Sequence, residues 1–463
     1  MGISSDEEPM FKALQKYVSK FLSPTRIFVL SFLALIFLGS ILLYLPSSST
    51  RGLSYLDALF MATSAVCVTG LAVLDVGTDL TLSGQITLLT LFQTGGLGII
   101  TFSAFLFSLM GKGISFKGHE ILQSSFLYTP TREFFLVLRW VIVSTLTVES
   151  MGALLLFLHF LQELPVARAL YYAVFHSISS FNNSGFSLFP DSLIRYQGDL
   201  LLNLTIMSLI VIGGIGFVVN LEVLRYAFKR KQRISLHSKV AVVTTFILVL
   251  GGAALFYVLE REYELKGLSI NARILASFFQ SVTSRTAGFN TVDIGGLTNG
   301  SVLLLTILMF IGASPGSTGG GIKTTSFALI SLLIWNRWRG IEEVNVFNRT
   351  IPREVISRTI SIIFASALSI LIIVCVVLVA GRTGDISPLD RGLYVKYFFE
   401  TVSAFGTVGL SMGITPKLNE IQKISVALMM FTGRVGPLTF AFFLSVSMRK
   451  RSPVYAEEGV MVG

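Results

Sequence analysis

Apolar runs too long for the core of a soluble domain follow one another through almost the whole chain, beginning with residues 27–45. In hydrocarbon the backbone has no water to bond, so only helices and closed barrels span it. The runs here are continuous, whereas barrel strands read as ten-residue segments of alternating polarity. The chain is therefore expected to be an all-α membrane protein. Composition agrees: of 463 residues, 52% are hydrophobic and 13% charged, too little polar surface to clothe a soluble protein of this size. The first run lacks an A-x-A cleavage pattern and reads as a retained span. Ahead of it, Phe11, Leu14, Tyr17, Val18 and Leu22 recur near helical spacing among Lys12, Lys16 and Lys20, as in an interfacial helix or a solvated arm. Cys67 and Cys375 are too isolated for a disulfide framework or a zinc site.

Basic residues exceed acidic ones by 36 to 26, a net charge of +10. The positives do not form one nucleic-acid-binding face but gather in alternate connections. These hold Lys112, Lys117 and Arg132; Arg225, Lys229, Arg230, Lys231, Arg233 and Lys239; Arg337, Arg339, Arg349, Arg353 and Arg358; and Arg449, Lys450 and Arg451. Positive charge marks the cytoplasmic side, so these connections and both termini are expected there, with the chain in the cell (inner) membrane. Each intervening stretch must then cross and return. The resulting division is a cytoplasmic arm over 1–25, four repeats over 26–112, 113–230, 231–340 and 341–451, and a tail over 452–463.

Every repeat carries a third, shorter apolar segment: LDALFMATSAVCVTGL (56–71), YYAVFHSISSFNNSGF (171–186), ASFFQSVTSRTAGF (276–289) and VKYFFETVSAFGTVGL (395–410). Each opens with apolar and aromatic residues, passes through Ser or Thr, and ends at a Gly followed by Leu or Phe. The glycines Gly70, Gly185, Gly288 and Gly409 stand 115, 103 and 121 residues apart, all on the outer side by the charge rule. The third copy has one residue fewer before its glycine. Segments this short cannot span about 30 Å as helices, so they must enter and leave by one face. Non-helical backbone at that depth persists only beside protein or water. Four such loops converging pseudo-fourfold on one axis would line a pore with carbonyls that replace the hydration shell of a cation. Glycine reaches the torsions this requires, and the negative C-terminal ends of the short helices favour cations over anions.

The outgoing helix of the third repeat starts as an apolar run over 302–311. It is then interrupted by Gly312, Ala313, Ser314, Pro315, Gly316, Ser317, Thr318, Gly319, Gly320 and Gly321. Proline and that density of glycine should open a loop in mid-span. Placed under the carbonyl ring, such a loop would obstruct permeation. The stretch GSTGGGIKTT is not a phosphate-binding P-loop, because Ile322 separates Lys323 from the last glycine. Arg434 lies in the last apolar segment, where an unpaired cation is costly. Its five donors suit capping the carbonyls of the 312–321 loop and adding a positive barrier; the plainer alternative is a snorkelling or structural arginine. Glu149 and His159, in a span expected over 134–160, read as a proton or Na⁺ path or as partners of a neighbouring helix. Asp57 and Glu400 read as charges at a pore mouth or as solvent-facing residues. GGLG (95–98) and GGIG (213–216) read as close-packing sites within outgoing helices.

VCVTGL, the fourfold helix, loop, helix plan and GASPGSTGGGIKTT (312–325) together resemble the Trk/Ktr/HKT superfamily of potassium transporters, most nearly its bacterial Ktr membrane subunits. The likeness covers essentially the whole chain. It implies a K⁺ filter at the four glycines, with carbonyls from Val68, Thr69 and Gly70, from Asn183, Ser184 and Gly185, from Thr286, Ala287 and Gly288, and from Thr407, Val408 and Gly409. It implies a gate made of 312–321 with Lys323, faced by Arg434. Some plant relatives with Ser at the first filter position favour Na⁺; Gly70 leans toward K⁺. The resemblance further implies a homodimer, one pore per protomer, on a cytoplasmic ring of nucleotide-binding RCK-domain subunits, with the tail near the dimer interface. It leaves Na⁺ open as an activator. The alternative is a Na⁺-permeable or Na⁺-coupled carrier, although repeats of equal orientation do not suit an inverted-repeat design. No paired intramembrane carboxylates, His-rich metal motif or Ser/Lys dyad points to an enzyme.

Overall fold

The computed structural model describes residues 24–109, 131–228, 234–381, 391–437 and 439. The amphipathic arm, the tail 452–463, and Lys112, Lys117, Lys229, Arg230, Lys231, Arg233, Arg449, Lys450 and Arg451 lie outside the described residues. Fourteen helices occur among them, in four successive sets. The first set is α1 (Pro24–Tyr44), α2 (Tyr55–Val66) and α3 (Leu82–Leu109). The second is α4 (Thr131–Phe160), α5 (Val166–Phe181), α6 (Leu200–Gly214) and α7 (Phe217–Phe228). The third is α8 (Leu236–Glu260), α9 (Ile270–Thr283), α10 (Asn299–Phe310) and α11 (Thr324–Trp338). The fourth is α12 (Arg353–Ala380), α13 (Arg391–Gly406) and α14 (Glu420–Val435). Between α11 and α12, β1 (Asn345–Val346) pairs with β2 (Arg349–Thr350), Asn345 opposite Thr350, in a small hairpin.

Residues 139–160 of α4, α8 and α12 are each long and apolar enough to cross a bilayer, and α6 with α7 forms a broken span bent by 106°. The long helices turn Leu146, Leu154, Phe246, Ile247, Phe364 and Leu371 outward. An apolar belt of that kind matches lipid tails rather than water. Polar side chains are instead gathered inside, where Ser64, Ser179, Asn182, Thr283 and Ser403 are fully buried. At about 1.5 Å per residue, α2, α5, α9 and α13 are too short to cross. Two of them start from side-chain caps: before α2, Ser54 accepts the Asp57 amide at 3.1 Å, and before α9, Ser269 accepts the Ala272 amide at 3.3 Å.

The sets close on themselves. Each outgoing helix packs on the short helix of the next set, α3 on α5, α6 on α9 and α10 on α13, and α14 of the last set packs on α2 of the first. All four short helices therefore end around one axis. The entry of α14 is fixed by a capping box: Asn419 accepts the Gln422 amide at 3.0 Å, Gln422 accepts the Asn419 amide at 3.0 Å, and Asn419 also donates to the Ala380 carbonyl of α12 at 2.9 Å. Asn419→Ala should lower stability by about 1 kcal/mol or more, read as a lower thermal unfolding midpoint of the detergent-purified protein. An unchanged midpoint would mean that packing alone sets α14.

Candidate ion pathway

The four loops that follow the short helices share one backbone form. Gly70, Gly185, Gly288 and Gly409 have φ of 92°, 69°, 86° and 93°, and two residues earlier Val68, Asn183, Thr286 and Thr407 have φ of 56°, 59°, 75° and 50°. Left-handed torsions are uncommon outside glycine, so four at one register mark a repeated conformation. A hydroxyl at the end of each short helix ties the loop down. Ser64 and Ser403 accept the amides of Gly70 and Gly409, both at 3.1 Å, while Ser179 and Thr283 donate to the carbonyls of Phe186 and Phe289 at 2.8 and 2.6 Å. The shorter third copy keeps this tie by placing its hydroxyl five rather than six residues before the glycine.

These glycines form a ring in chain order. A Cβ on Gly70 would strike the Ser184 carbonyl, one on Gly185 the Ala287 carbonyl, one on Gly288 the Val408 carbonyl, and one on Gly409 the Thr69 carbonyl. Carbonyl oxygens of the preceding residues thus stand at every junction. On one side the ring opens into a cavity of about 270 Å³, reached by residues following all four glycines and including Asp75.

On the other side lies the chain between α10 and α11. Ile311 and Ile322 pair in parallel, and a Cβ on Gly312 would strike the Gly320 carbonyl. Gly321, with φ of 67°, turns the chain back beside Gly312. Gly319 abuts Thr286 and Gly320 abuts Thr407, whose hydroxyl accepts the Gly320 amide at 2.9 Å. Thr286 and Thr407, two residues before their glycines, thus meet the loop, and Asn183 and Thr286 join two of the ring segments at 3.2 Å. Ala313 and Ser314 are buried; Ala313 accepts the Thr324 amide at 3.2 Å, Ser314 contacts the Thr324 hydroxyl at 2.8 Å, and Ser317 donates to the Ser314 carbonyl at 2.6 Å. Lys323 donates to the Gly319 carbonyl at 2.8 Å. Arg434, 5% exposed, reaches from α14 to the Thr318 carbonyl and, at 2.7 Å, to the Gly95 carbonyl of α3.

The GGIG cluster does more than its reading within a continuous helix suggests. Carbonyls freed by the bend between α6 and α7 accept from the third set: Gly213 takes the Thr318 amide at 3.3 Å and Gly214 the Ser314 amide at 3.0 Å. In return the Phe217 amide donates to the Gly316 carbonyl at 3.0 Å, and Gly216 stands against the Pro315 carbonyl. Two helix breaks in different sets satisfy one another, as backbone at membrane depth must. Gly95, Gly213 and Gly433 also share a role: a Cβ there would strike the carbonyls of Val66, Phe181 and Phe405, each four residues before a ring glycine.

The other ionisable side chains singled out in the sequence have partners. Glu149 accepts from Gln93 and Asn182, each at 3.1 Å, tying α4 to α3 and to the second loop. His159 lies 3.5 Å from Asp199. Asp57 pairs with Lys423 of α14 at 2.6 Å. Glu400 is 1% exposed and bonded to Ser411 and Thr415 inside its own set, so it is not a solvent-facing residue. Sequence reasoning overlooks Arg285, which is 6% exposed beside the third loop and donates to Thr245 at 3.3 Å. Its place directly before Thr286 in an apolar segment is the signal that could have found it. Among the described residues no group of three His, Cys, Asp or Glu is placed to hold a metal ion.

A family model described as TrkH, cation transport protein, matches residues 6–453. Ktr system potassium uptake protein B of Bacillus subtilis is 38% identical over 424 residues, covering 91% of this chain and 92% of that protein. Potassium/sodium uptake protein NtpJ of Enterococcus hirae is 36% identical over 460 residues, covering 97% and 99%. Among solved structures, the potassium transporter TrkH of Vibrio parahaemolyticus shares the fold with a TM-score of 0.71 at 20% identity, over 93% of this chain and 87% of that one.

Proposed function

Since this chain belongs to the TrkH family of cation transport proteins, a family of membrane transporters rather than enzymes, we propose that it takes up K⁺ across the cell membrane through the ring of four glycines. One observation carries this reading: the four loops share a backbone form and close in chain order, with a carbonyl at each junction. A ring of carbonyls replaces the water that a cation sheds. The short helices end at the ring, so their partial negative charge favours cations, and Asp75 adds negative potential at the cavity rim. The names of the relatives, potassium uptake and potassium/sodium uptake, support K⁺. The second name also supports a reading in which Na⁺ shares the path.

The loop 312–321, with Lys323 and Arg434, is the gate on this reading. It abuts the ring on the side away from the cavity and is held there by Thr407, by the bend in α6 and by Arg434. The outgoing helices of the second and third sets begin just beyond the cavity-lining segments and lead to exposed Arg225, Arg337 and Arg339, with exposed Arg353 at the start of α12, which supports a cytoplasmic side opposite the cavity. That arrangement also favours the division into four units near residues 112, 230 and 340, with both termini cytoplasmic. The likeness to a protein named for a Ktr system supports a homodimer on a cytoplasmic RCK-domain ring, for which the exposed arginines form a docking face.

The test is ⁸⁶Rb⁺ uptake into proteoliposomes of the purified protein, with K⁺, Na⁺ or choline as competitor. Suppression by K⁺ and not Na⁺ is the expected result. Equal suppression would favour the shared path, and loss of competition by both ions would sink the filter reading.

A further inference from the structure

One register of the short helices has no role in the filter reading. Nine residues before Gly185 and Gly409, and eight before Gly288 in the shorter copy, stand His176, Glu400 and Gln280; the first copy has Met61. The three polar side chains are buried, at 0, 1 and 0% exposure. Each reaches past its own loop to a hydroxyl just beyond the glycine. His176 directs Nδ1 at the Tyr172 carbonyl, 2.8 Å away, so that nitrogen carries the proton. Its Nε2 is left to accept from the Ser187 hydroxyl at 3.1 Å and the Leu188 amide at 3.4 Å. Gln280 Nε2 lies 3.4 Å from the Thr291 hydroxyl. Glu400 accepts from Ser411 at 2.8 Å and from Thr415, and Ser411 in turn accepts the Gly413 amide at 3.1 Å. Ser187, Ser411 and Thr415 line the cavity above the ring. In the first set Met61 and Ala72 cannot make such a bond. There Gln85 braces the segment instead, donating to the carbonyls of Val76 and Leu80 at 3.1 and 3.0 Å.

Packing alone does not call for these groups. Met61 fills the same register with apolar atoms, whereas a buried carboxylate, imidazole or amide is costly unless bonded. We propose that His176, Gln280 and Glu400 are positioning residues, struts that fix the segment after each glycine and so keep the carbonyl ring from closing around an ion smaller than K⁺. The inference rests on the glycine ring being the cation filter. Whether carbonyl selectivity comes from fit or from field strength, it depends on how far the ring can contract.

Glu400 is the strut to test, because both its hydroxyl partners can be removed without touching the helix. The full-length protein is reconstituted and ⁸⁶Rb⁺ uptake is titrated with Na⁺, for Glu400→Val, Glu400→Gln, Ser411→Ala with Thr415→Val, the three removals combined, and Gly70→Ser as reference. Glu400→Val and the double hydroxyl variant should each become at least about fivefold more sensitive to Na⁺, the equivalent of one net hydrogen bond. Glu400→Gln, which keeps an acceptor, should stay within about twofold, and the combined variant should add nothing, as for groups acting as a unit. If Glu400→Val does not fold, the double hydroxyl variant decides. Unaltered Na⁺ sensitivity in folded strut variants, with a shift in Gly70→Ser, overturns the struts and leaves the filter standing. No shift in any variant, Gly70→Ser included, overturns the filter reading itself.

Discussion

Deleting Gly316–Gly321 should raise the basal flux of ⁸⁶Rb⁺ by about tenfold or more while leaving its competition by K⁺ over Na⁺ intact. Among the bonds that hold the proposed gate under the ring, the deletion removes the Gly320 amide to Thr407, the Thr318 amide to Gly213, the Phe217 amide to Gly316, and Arg434 to Thr318. At about 1 kcal/mol net each, their loss removes more than the 1.4 kcal/mol that corresponds to a tenfold change in rate. The deletion is sterically feasible because Ile311 and Ile322 already lie side by side. Residues 312–315 remain to join them, a normal connection length. Selectivity should survive because the four glycine loops are untouched apart from one freed hydroxyl on Thr407. Arg434→Ala should move flux the same way by less, since Lys323 and the bend in α6 still hold the loop. A deleted protein that elutes and melts like the parent yet conducts no faster would remove the gate assignment.

How far the sequence discloses this arrangement depends on the range of each contact. The all-helical plan and the interruption at 312–321 are local, written in apolar runs and in the density of Gly and Pro. The four short segments are legible because they resemble one another. What escapes reading is pairing between sets. Glu149 with Gln93, Asp57 with Lys423, and Arg434 with Gly95 join residues 56, 366 and 339 positions apart. No periodicity carries such a partnership, and a buried acid looks the same in sequence whether it faces an ion or an amide. Glu400 shows the same ambiguity within one set: its hydroxyl partners lie 11 and 15 residues on, beyond the glycine.

The bend between α6 and α7 shows a second limit. GGIG contains no proline, and glycine pairs are tolerated within spanning helices. What breaks the helix is the acceptor demand of another set: Ser314 and Thr318 need carbonyls, and Gly213 and Gly214 supply them. The backbone amides of Ser314 and Thr318 and the carbonyl of Gly316 are met by backbone of the second set. Coupling of that kind gives the loop one seat and makes the second and third sets mechanically dependent.

Substituting the ring glycines should affect K⁺ selectivity unequally, and the order follows from two independent features. A side chain at Gly70 or Gly409 meets the carbonyl of Ser184 or Thr69 head-on and must adopt φ of 92° or 93°, beyond the left-handed region of about +50° to +70° that other residues tolerate. At Gly185 the approach of a Cβ to the adjoining carbonyl is the longest of the four, 2.6 Å to Ala287, with Gly288 Cα at 2.9 Å, and its φ of 69° lies at the edge of that region. Gly288, at 86°, falls between. Serine at 70 or 409 must therefore push the adjoining carbonyl aside and open the ring at that junction. Discrimination of K⁺ from Na⁺ should fall by about tenfold or more, since a single bad contact of 1.4 kcal/mol suffices. Gly288→Ser should lose less, and Gly185→Ser least, with Na⁺ competition against ⁸⁶Rb⁺ uptake as the readout for all four. Equal losses at Gly185 and Gly70 would mean that local ring geometry does not set selectivity. The graded order would tie selectivity to the shape of each junction, because a generic loss of fold has no reason to follow it.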